Sequence, residues 1–269
     1  MEKNAPIVFL DSGIGGLPYL EWMLNELPEE SYIYVADRKN FPYGERETDE
    51  LIALVIAVVG QIANELKPKL IVVACNTASV VALAKLRERF DISFVGVVPA
   101  LKPAAERSNY RRIGLLATSR TVADTYTDRL INDYASDCRV TRVGNPNIVD
   151  FIERYFLHSS IDERQELLDD TVKQFTEANI DFLVIGCTHF IFIEDDLRKA
   201  LGPFVDIIDS REGVGMQVIR LLEKSNLRSR NHGSGSLYVT SLEKEPDRYR
   251  DFSRMYGLTF KGLLKAHAR

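Results

Sequence analysis

Short apolar runs alternate along this chain with longer segments of helical periodicity. The runs IVFLD (7–11), LIVVAC (70–75) and FLVIGC (182–187) are apolar almost to their last residue. Continuous apolar strands of this kind are typical of parallel sheets buried on both faces, and the amphipathic segments between them supply the covering helices. The sequence therefore predicts an α/β protein with mainly parallel sheets flanked by helices.

The predicted elements follow one another as apolar strand, polar turn and helix. The predicted strands are 7–11, 32–37, 70–75, 94–98, 112–118, 139–143, 182–187, 205–209 and 237–241, and the predicted helices are 17–26, 48–66, 78–90, 121–134, 147–157, 161–178 and 211–224. The strand at 237–241 is expected to close the chain.

The two halves of the chain resemble each other. Asp11 ends the first strand of one half and Cys75 ends a later one, while Thr118 and Cys187 take the corresponding places in the other half. Open α/β sheets bind their ligands at the carboxyl ends of strands. Two similar domains related by a pseudo-twofold axis would bring the two thiols to opposite walls of one cleft, so we expect the active site between the domains.

Composition argues against several classes of protein. The formal net charge of −5 leaves no excess of Lys and Arg for a nucleic acid. No apolar run approaches the ~20 residues of a membrane span, and the start of the chain lacks a signal-peptide core. Three cysteines (Cys75, Cys138 and Cys187) form no disulfide framework. The chain is therefore expected to be cytoplasmic, with free thiols.

The glycine-rich stretch DSGIGG (11–16) follows a strand and precedes a helix. It lacks a dinucleotide fingerprint, because Pro18 stands where the third glycine would be, and no Gly-Lys-Ser/Thr makes a Walker loop. A nest of backbone N–H groups that holds a carboxylate, with Ser12 as a further donor, fits better. The alternative is a tight turn in which Asp11 caps the helix.

Cys75 and Cys187 recur at corresponding strand ends, and each is followed within two residues by a threonine. Either cysteine alone could be a small buried hydrophobe. A helix N-terminus favours the thiolate, however, and the repetition favours a reactive pair. Cys138, in the polar context ASDCRV, has neither feature and is interpreted as structural or incidental.

Metal and hydrolase chemistry are the rivals for cysteine together with histidine. Cys187 and His189 are two residues apart and the chain has no CxxC or HxxxH spacing, so a zinc site is not expected. A Cys–His thiol hydrolase stays open, although the second thiol would then have no role. His189 could also be a core or cap residue.

Three further stretches have both structural and functional interpretations. FPYG (41–44) is either a β-turn with a half-buried tyrosine or a binding loop. ATSRT (117–121) has more hydroxyl groups than one helix cap needs. Glu153, on the helix IVDFIERYF, would ordinarily face solvent.

The stretches DSGIGG, ADRKNFPYG, ACNTAS and GCTHF, in this order, resemble the glutamate racemases of the aspartate/glutamate racemase superfamily over essentially the whole chain. The resemblance implies two α/β domains, 1–98 with 208–269 and 99–207, the second inserted in the first. It implies a cofactor-independent enzyme that interconverts L- and D-glutamate for peptidoglycan. The expected partner is this small-molecule substrate, with no nucleic acid, membrane or metal, in a homodimer or a monomer.

The resemblance also implies residue roles. Cys75 would remove the proton from D-glutamate with the help of Asp11, and Cys187 would remove it from L-glutamate with the help of His189. The positions that would hold the substrate are Asp11, Ser12, Tyr43, Gly44, Asn76, Thr77, Thr118, Thr121, Thr188 and His189. Asp37 and Glu153 resemble further acidic positions near the site.

Elementary chemistry agrees with a pair of thiols. Racemisation removes a proton from one face of the α-carbon and returns one to the other, which a single base cannot readily do for an immobilised substrate. A thiol, with a pKa of about 8.5, suits this exchange near neutral pH. Two alternatives stay open: an aspartate or hydantoin racemase with the same cysteines, and an amino-acid-binding module with inactive thiols.

Overall fold

The computed structural model describes residues 2–230, 233–243 and 246–265. The chain forms two compact units, which we call unit 1 (Met1–Val97 and Arg211–Arg269) and unit 2 (Val98–Ser210). No helix within the described ranges is long and apolar enough to cross a membrane.

Strands and helices alternate along most of the chain. The strands are β1 (Ile7–Asp11), β2 (Tyr32–Ala36), β3 (Leu70–Val73), β4 (Ser93–Gly96), β5 (Arg112–Ala117), β6 (Arg139–Gly144), β7 (Phe182–Ile185), β8 (Asp206–Ile208), β9 (Gly235–Val239) and β10 (Thr259–Leu263). The helices are α1 (Leu17–Glu26), α2 (Thr48–Leu66), α3 (Asn76–Arg89), α4 (Leu101–Arg107), α5 (Ser119–Ala123), α6 (Thr125–Tyr134), α7 (Asn147–Arg154), α8 (Ile161–Glu177), α9 (Glu194–Leu201), α10 (Arg211–Lys224) and α11 (Pro246–Met255). In the part of the chain that the structure describes, 3₁₀ turns lie at Arg38–Asn40, Tyr43–Glu45, Phe156–His158 and Thr188–Ile193.

The described residues of each unit form one parallel sheet, which confirms the predicted fold class. The six strands of unit 1 lie in the order β10-β9-β2-β1-β3-β4 and the four of unit 2 in the order β6-β5-β7-β8. Every neighbouring pair is parallel. The order β2-β1-β3-β4 in unit 1 matches β6-β5-β7-β8 in unit 2, so the two sheets share a topology.

The central strands of the sheets are almost entirely apolar because they are buried on both faces. All five residues of β1 and all four of β3 are buried, and α2 and α3 pack against the same core through Val55, Val59 and Ala82. Burial of each Val or Ile side chain stabilises the fold by roughly 1.5–3 kcal/mol relative to exposure. Strands buried on both faces therefore need no polar alternation.

The strand order creates the same switch point in both sheets. β1 lies between β2 and β3, and β5 lies between β6 and β7, so the crossover direction reverses after the second strand of each unit, β2 or β6. Leu10 pairs with Val73 and Leu116 pairs with Ile185. Ligands of doubly wound sheets bind outside the carboxyl ends of strands at such a point. Cys75 and Cys187 each follow a strand that borders it.

Parts of the predicted element order are wrong. The single helix predicted at 121–134 is two helices, because Asp124 ends α5 and its carboxylate accepts a hydrogen bond from the N–H of Tyr126 (2.8 Å) at the start of α6. The strand near 237–241 does not close the chain, since α11 and β10 follow and β10 pairs beside β9. The helices α4 and α9 were not predicted.

Candidate active site

Cys75 stands between a buried strand and a long helix. β3 ends two residues earlier at Val73, and Cys75 is the N-cap of α3 with an extended backbone (φ −136°, ψ 123°). Its carbonyl accepts the first helical hydrogen bond, from the N–H of Ser79 (2.9 Å). The partial positive charge at the N-terminus of this helix favours the thiolate over the thiol.

Cys187 has the same local geometry in unit 2. β7 ends two residues earlier at Ile185, and Cys187 is the N-cap of the 3₁₀ turn Thr188–Ile193 with φ −137° and ψ 134°. Cys187 and Cys75 are each 8% exposed. The two thiols are therefore presented in the same way by equivalent strand ends.

Asp11, the last residue of β1, is completely buried. Its Oδ1 accepts hydrogen bonds from the N–H of Ser12 (2.5 Å) and the hydroxyl of Ser12 (3.3 Å), and from the N–H of Gly13 (3.5 Å). The N-cap of α1 is Gly16, so the interpretation of Asp11 as a helix cap is wrong. The first amides of the glycine-rich loop instead bind the carboxylate of Asp11 itself.

The glycine-rich loop approaches the sheet closely. A Cβ atom on Gly16 would lie 2.6 Å from the Cβ of Ala74 and 3.2 Å from Oδ2 of Asp11, so only glycine fits between them. The hydroxyl of Tyr34, on β2, accepts from the N–H of Gly16 (3.0 Å) and donates to the carbonyl of Gly13 (2.9 Å). Tyr34, which the sequence did not indicate, thus holds the loop next to Asp11.

Asp37 collects donors from three segments of unit 1. Its Oδ2 accepts from the hydroxyl of Tyr43 (2.7 Å) and from Nδ2 of Asn40 (2.8 Å), and its Oδ1 accepts from the hydroxyl of Thr240 (2.6 Å). Asp37 is fully buried. A buried carboxylate with three side-chain donors has its hydrogen-bonding capacity largely satisfied.

Tyr43 is fully buried, so the prediction of a half-buried tyrosine in a β-turn at FPYG is wrong. Burial raises the pKa of its phenol well above the usual value, and the adjacent Asp37 raises it further. Negative charge on Cys75 or Asp11 would raise the pKa of Tyr43 in the same direction. Tyr43 therefore stays protonated near these groups. Gly44 follows it, and a Cβ there would have no described atom within 4 Å.

Asn76 and Thr77 begin α3 and are both buried. Among the described residues, Oδ1 of Asn76 has no hydrogen-bond partner. An unsatisfied buried acceptor costs about 1–3 kcal/mol, a cost that a bound donor would remove. Asn76 is therefore a natural point of contact for a ligand beside Cys75.

His189 and Glu153 form a buried pair in unit 2. Nε2 of His189 lies 2.9 Å from Oε1 of Glu153, and Glu153 is 1% exposed. The interpretation of Glu153 as a solvent-facing residue is therefore wrong. α7 carries this carboxylate to the turn that follows Cys187. A carboxylate partner fixes the tautomer and orientation of an imidazole.

Hydroxyl groups cluster after β5, as the sequence indicated. Thr118 is the N-cap of α5 and accepts from the N–H of Thr121 (3.3 Å), and the two hydroxyl oxygens are 3.0 Å apart. Thr188, next to Cys187, is buried. Within the described residues, no group of three or more His, Cys, Asp or Glu side chains is arranged to hold a metal ion.

Comparison with known proteins decides the family. Residues 20–212 match the Asp/Glu/Hydantoin racemase family model. The chain belongs to this racemase family. A glutamate racemase of Shewanella sp. (strain MR-7) is 42% identical over 222 residues, which cover 82% of this chain and 81% of that protein. The resemblance read from the motifs is thereby confirmed.

Solved racemase structures have the same fold. A crystal structure of Escherichia coli glutamate racemase, in complex with L-glutamate and the activator UDP-MurNAc-ala, superposes with a TM-score of 0.86 at 32% identity and covers 96% of this chain and 98% of that one. The glutamate racemase isoform RacE1 from Bacillus anthracis gives a TM-score of 0.82 at 26% identity, with 97% and 98% coverage.

Proposed function

We propose that the protein interconverts L-glutamate and D-glutamate without a cofactor, using one thiol to remove the α-proton and the other to return a proton. The observation that carries the proposal is the repeated presentation of Cys75 and Cys187, which have nearly the same backbone conformation and the same small exposure at equivalent strand ends. Membership of the racemase family and the 42% identity to a glutamate racemase support glutamate as the substrate.

The proton balance of the reaction suits two thiols. The Cα–H bond breaks on one face and its proton passes to a thiolate, while the other thiol gives its proton to the opposite face. No net proton is gained, and the two sulfurs exchange roles at each turnover. The proposal therefore requires both sulfurs to reach one α-carbon, as in the cleft between the two domains, 1–98 with 208–269 and 99–207, that the resemblance implies.

The carbanion needs stabilisation at the carboxylate. The first amides of α3 lie beside Cys75, where a helix N-terminus attracts an anion. We assign Nδ2 of Asn76 as a donor to the substrate carboxylate, while its open Oδ1 can accept a hydrogen bond from the substrate ammonium. Donors fixed in advance near the developing charge are worth roughly 10²–10³ in rate each.

The remaining roles follow the two thiols. We propose that Asp11 assists Cys75 and that His189, oriented by Glu153, assists Cys187. Substrate contacts are assigned to Asp11, Ser12, Tyr43, Gly44, Asn76, Thr77, Thr118, Thr121, Thr188 and His189, with Asp37 as a support for Tyr43.

We further propose a cytoplasmic enzyme that supplies D-glutamate for peptidoglycan. Cys75, Cys138 and Cys187 are free thiols, which suits a reducing compartment. The homodimer implied by the resemblance, with the monomer as its alternative, is tested by light scattering of the purified protein.

The decisive experiment is turnover in D₂O. L-Glutamate incubated with the enzyme should give D-glutamate that carries deuterium at the α-carbon, detected by chiral chromatography and NMR. D-Glutamate without label would exclude proton exchange with solvent-derived thiol protons, and absence of D-glutamate would exclude the function. L-Aspartate and a hydantoin, the other substrates named in the family description, are the parallel assays, and preferred turnover of either would replace glutamate in the proposal.

A further inference from the structure

The hydroxyl of Thr240 joins two distant parts of unit 1. Thr240 follows β9, and its N–H donates to the carbonyl of Ala36 (3.1 Å) at the end of β2. Its Oγ1 donates to Oδ1 of Asp37 (2.6 Å) and accepts from the backbone N–H of Lys39 (3.0 Å). The hydroxyl of Thr240 is thus both a donor and an acceptor of hydrogen bonds to the turn that follows β2.

That turn leads directly to Tyr43 and Gly44. Asp37, held by Thr240 through Oδ1, accepts from the phenol of Tyr43 through Oδ2 (2.7 Å). Tyr43 is buried in the same apolar cluster as Cys75. A chain of hydrogen bonds therefore runs from Thr240 through Asp37 to the phenol near the Cys75 thiol.

We propose that Thr240 is a positioning residue for the Tyr43-Gly44 segment, which it holds in place through Asp37 and the backbone of Lys39. The inference deepens the proposed function, on which its kinetic test rests. Thr240 lies 203 residues from Asp37 in the chain, and no contact of its own with substrate is required.

The role predicts where the loss will appear. A loop that contacts the substrate equally in the ground state and the transition state affects KM and leaves kcat unchanged. Thr240→Val keeps the shape of the side chain and removes the hydroxyl. We expect this variant to raise KM for glutamate about tenfold, the loss typical of one hydrogen bond to a charged group, while kcat changes by less than about threefold.

Two further variants separate positioning from simple packing. Thr240→Ser keeps the hydroxyl and should retain the KM of the wild type. Thr259→Val, at an exposed position on β10 of the same unit, removes a hydroxyl that lies away from Asp37 and should change neither constant. An unchanged KM in Thr240→Val, or a Thr240→Ser variant as impaired as Thr240→Val, would overturn the proposal. If Thr240→Val does not fold, an increase of about tenfold in the KM of Thr240→Ser, which keeps the hydroxyl, would overturn the proposal, and an unchanged KM would support it.

A second measurement does not depend on turnover. Alkylation by iodoacetamide, followed by peptide mass spectrometry, reports the rates at Cys75 and Cys187 in the same sample. Thr240→Val should raise the rate at Cys75 severalfold and leave Cys187 unchanged, whereas equal increases at both thiols, or none, count against positioning. If the wild type does not racemise glutamate, the proposed function fails. The ratio of the alkylation rates at Cys75 and Cys187 still tests whether Thr240 positions the segment.

Discussion

The two thiol sites share a scaffold and differ in the acidic and basic side chains that lie near the cysteine. Cys75 and Cys187 follow equivalent strands and have nearly the same backbone angles. Beside Cys75, the carboxylate is Asp11, carried at the end of the neighbouring strand β1. In unit 2 the end of β5 is Ala117, and the carboxylate comes from Glu153 on a helix, acting on His189.

This difference has a chemical consequence under the proposed function. A carboxylate near a thiol can accept or return a proton directly, whereas an imidazole held by a carboxylate can carry the proton and remain oriented. The repeated fold therefore places one sulfur at an equivalent strand end in each unit. The supporting groups come from non-equivalent elements and make the two proton transfers chemically distinct.

The largest expected effect tests whether both thiols are needed. Cys75→Ala and Cys187→Ala should each lower kcat for racemisation by about 10²–10⁴-fold or more, because each removes a group that transfers a proton. The rate is measured by circular dichroism of glutamate in both directions. Cys138→Ala is the matched control, since Cys138 lies by Asp137 at the start of β6 and should retain full activity. Substantial turnover in either cysteine variant would show that racemisation does not need both thiols.

The next effect compares the residues that follow the two thiols. Asn76 follows Cys75 and has an open buried acceptor, while Thr188 follows Cys187. Asn76→Ala should lower kcat/KM by roughly 10²–10³-fold, as for the loss of one preorganised polar contact. Thr188→Ala should lower kcat/KM by a smaller factor. Equal kcat/KM values for Asn76→Ala and the wild type, at unchanged melting temperature, would remove Asn76 from the site.

A smaller effect distinguishes the two supporting carboxylates. Asp11→Asn and Glu153→Gln should each lower kcat by about 10–100-fold, the range expected for loss of one charged hydrogen-bond partner. Each substitution should slow proton transfer from the substrate to the thiol that the lost carboxylate assists, so that this transfer limits the rate more strongly. α-Deuterated L-glutamate should then show the larger isotope effect in Glu153→Gln, and α-deuterated D-glutamate in Asp11→Asn. The same preference in both variants would contradict the pairing of each carboxylate with its own thiol.

The sequence predicted the scaffold and the strand-end residues, but not the contacts between distant segments. Apolar strands reveal a parallel sheet, and the carboxyl ends of its strands gather Asp11, Cys75 and Asn76 without further information. The pairs Asp37–Thr240 and Glu153–His189 join residues 203 and 36 positions apart, and no local pattern marks them.

The missed elements have a similar explanation. α11 is rich in charged residues and has few apolar ones, so it carries little apolar signal, although Tyr249 and Phe252 are buried. β10 alternates between exposed and half-buried residues, and its glycine has φ +77°. An edge strand of this kind carries little of the apolar signal that identified the central strands.

The smallest effect concerns the buried phenol of the Cys75 site and its sensitivity to alkaline pH. Burial, followed by Asp37, raises the pKa of Tyr43 above its usual value, so the folded protein holds this proton more tightly than the unfolded chain. The resulting stabilisation is complete below pH ~10 and is lost as the pH rises toward the raised pKa.

Tyr43→Phe removes this dependence, so above pH 10 the wild type should lose stability more steeply than the variant. The difference is at most about 1.4 kcal/mol per pH unit. Trp22, the single tryptophan, lies on α1 and reports the unfolding of unit 1 by fluorescence in urea. Tyr110→Phe, at an exposed position of unit 2, is the control and should follow the wild type. Parallel pH profiles for Tyr43→Phe and the wild type would mean that folding does not hold the phenol protonated. The hydrogen bond that the hydroxyl of Tyr43 donates to Asp37 would then not be what orients the phenol near Cys75.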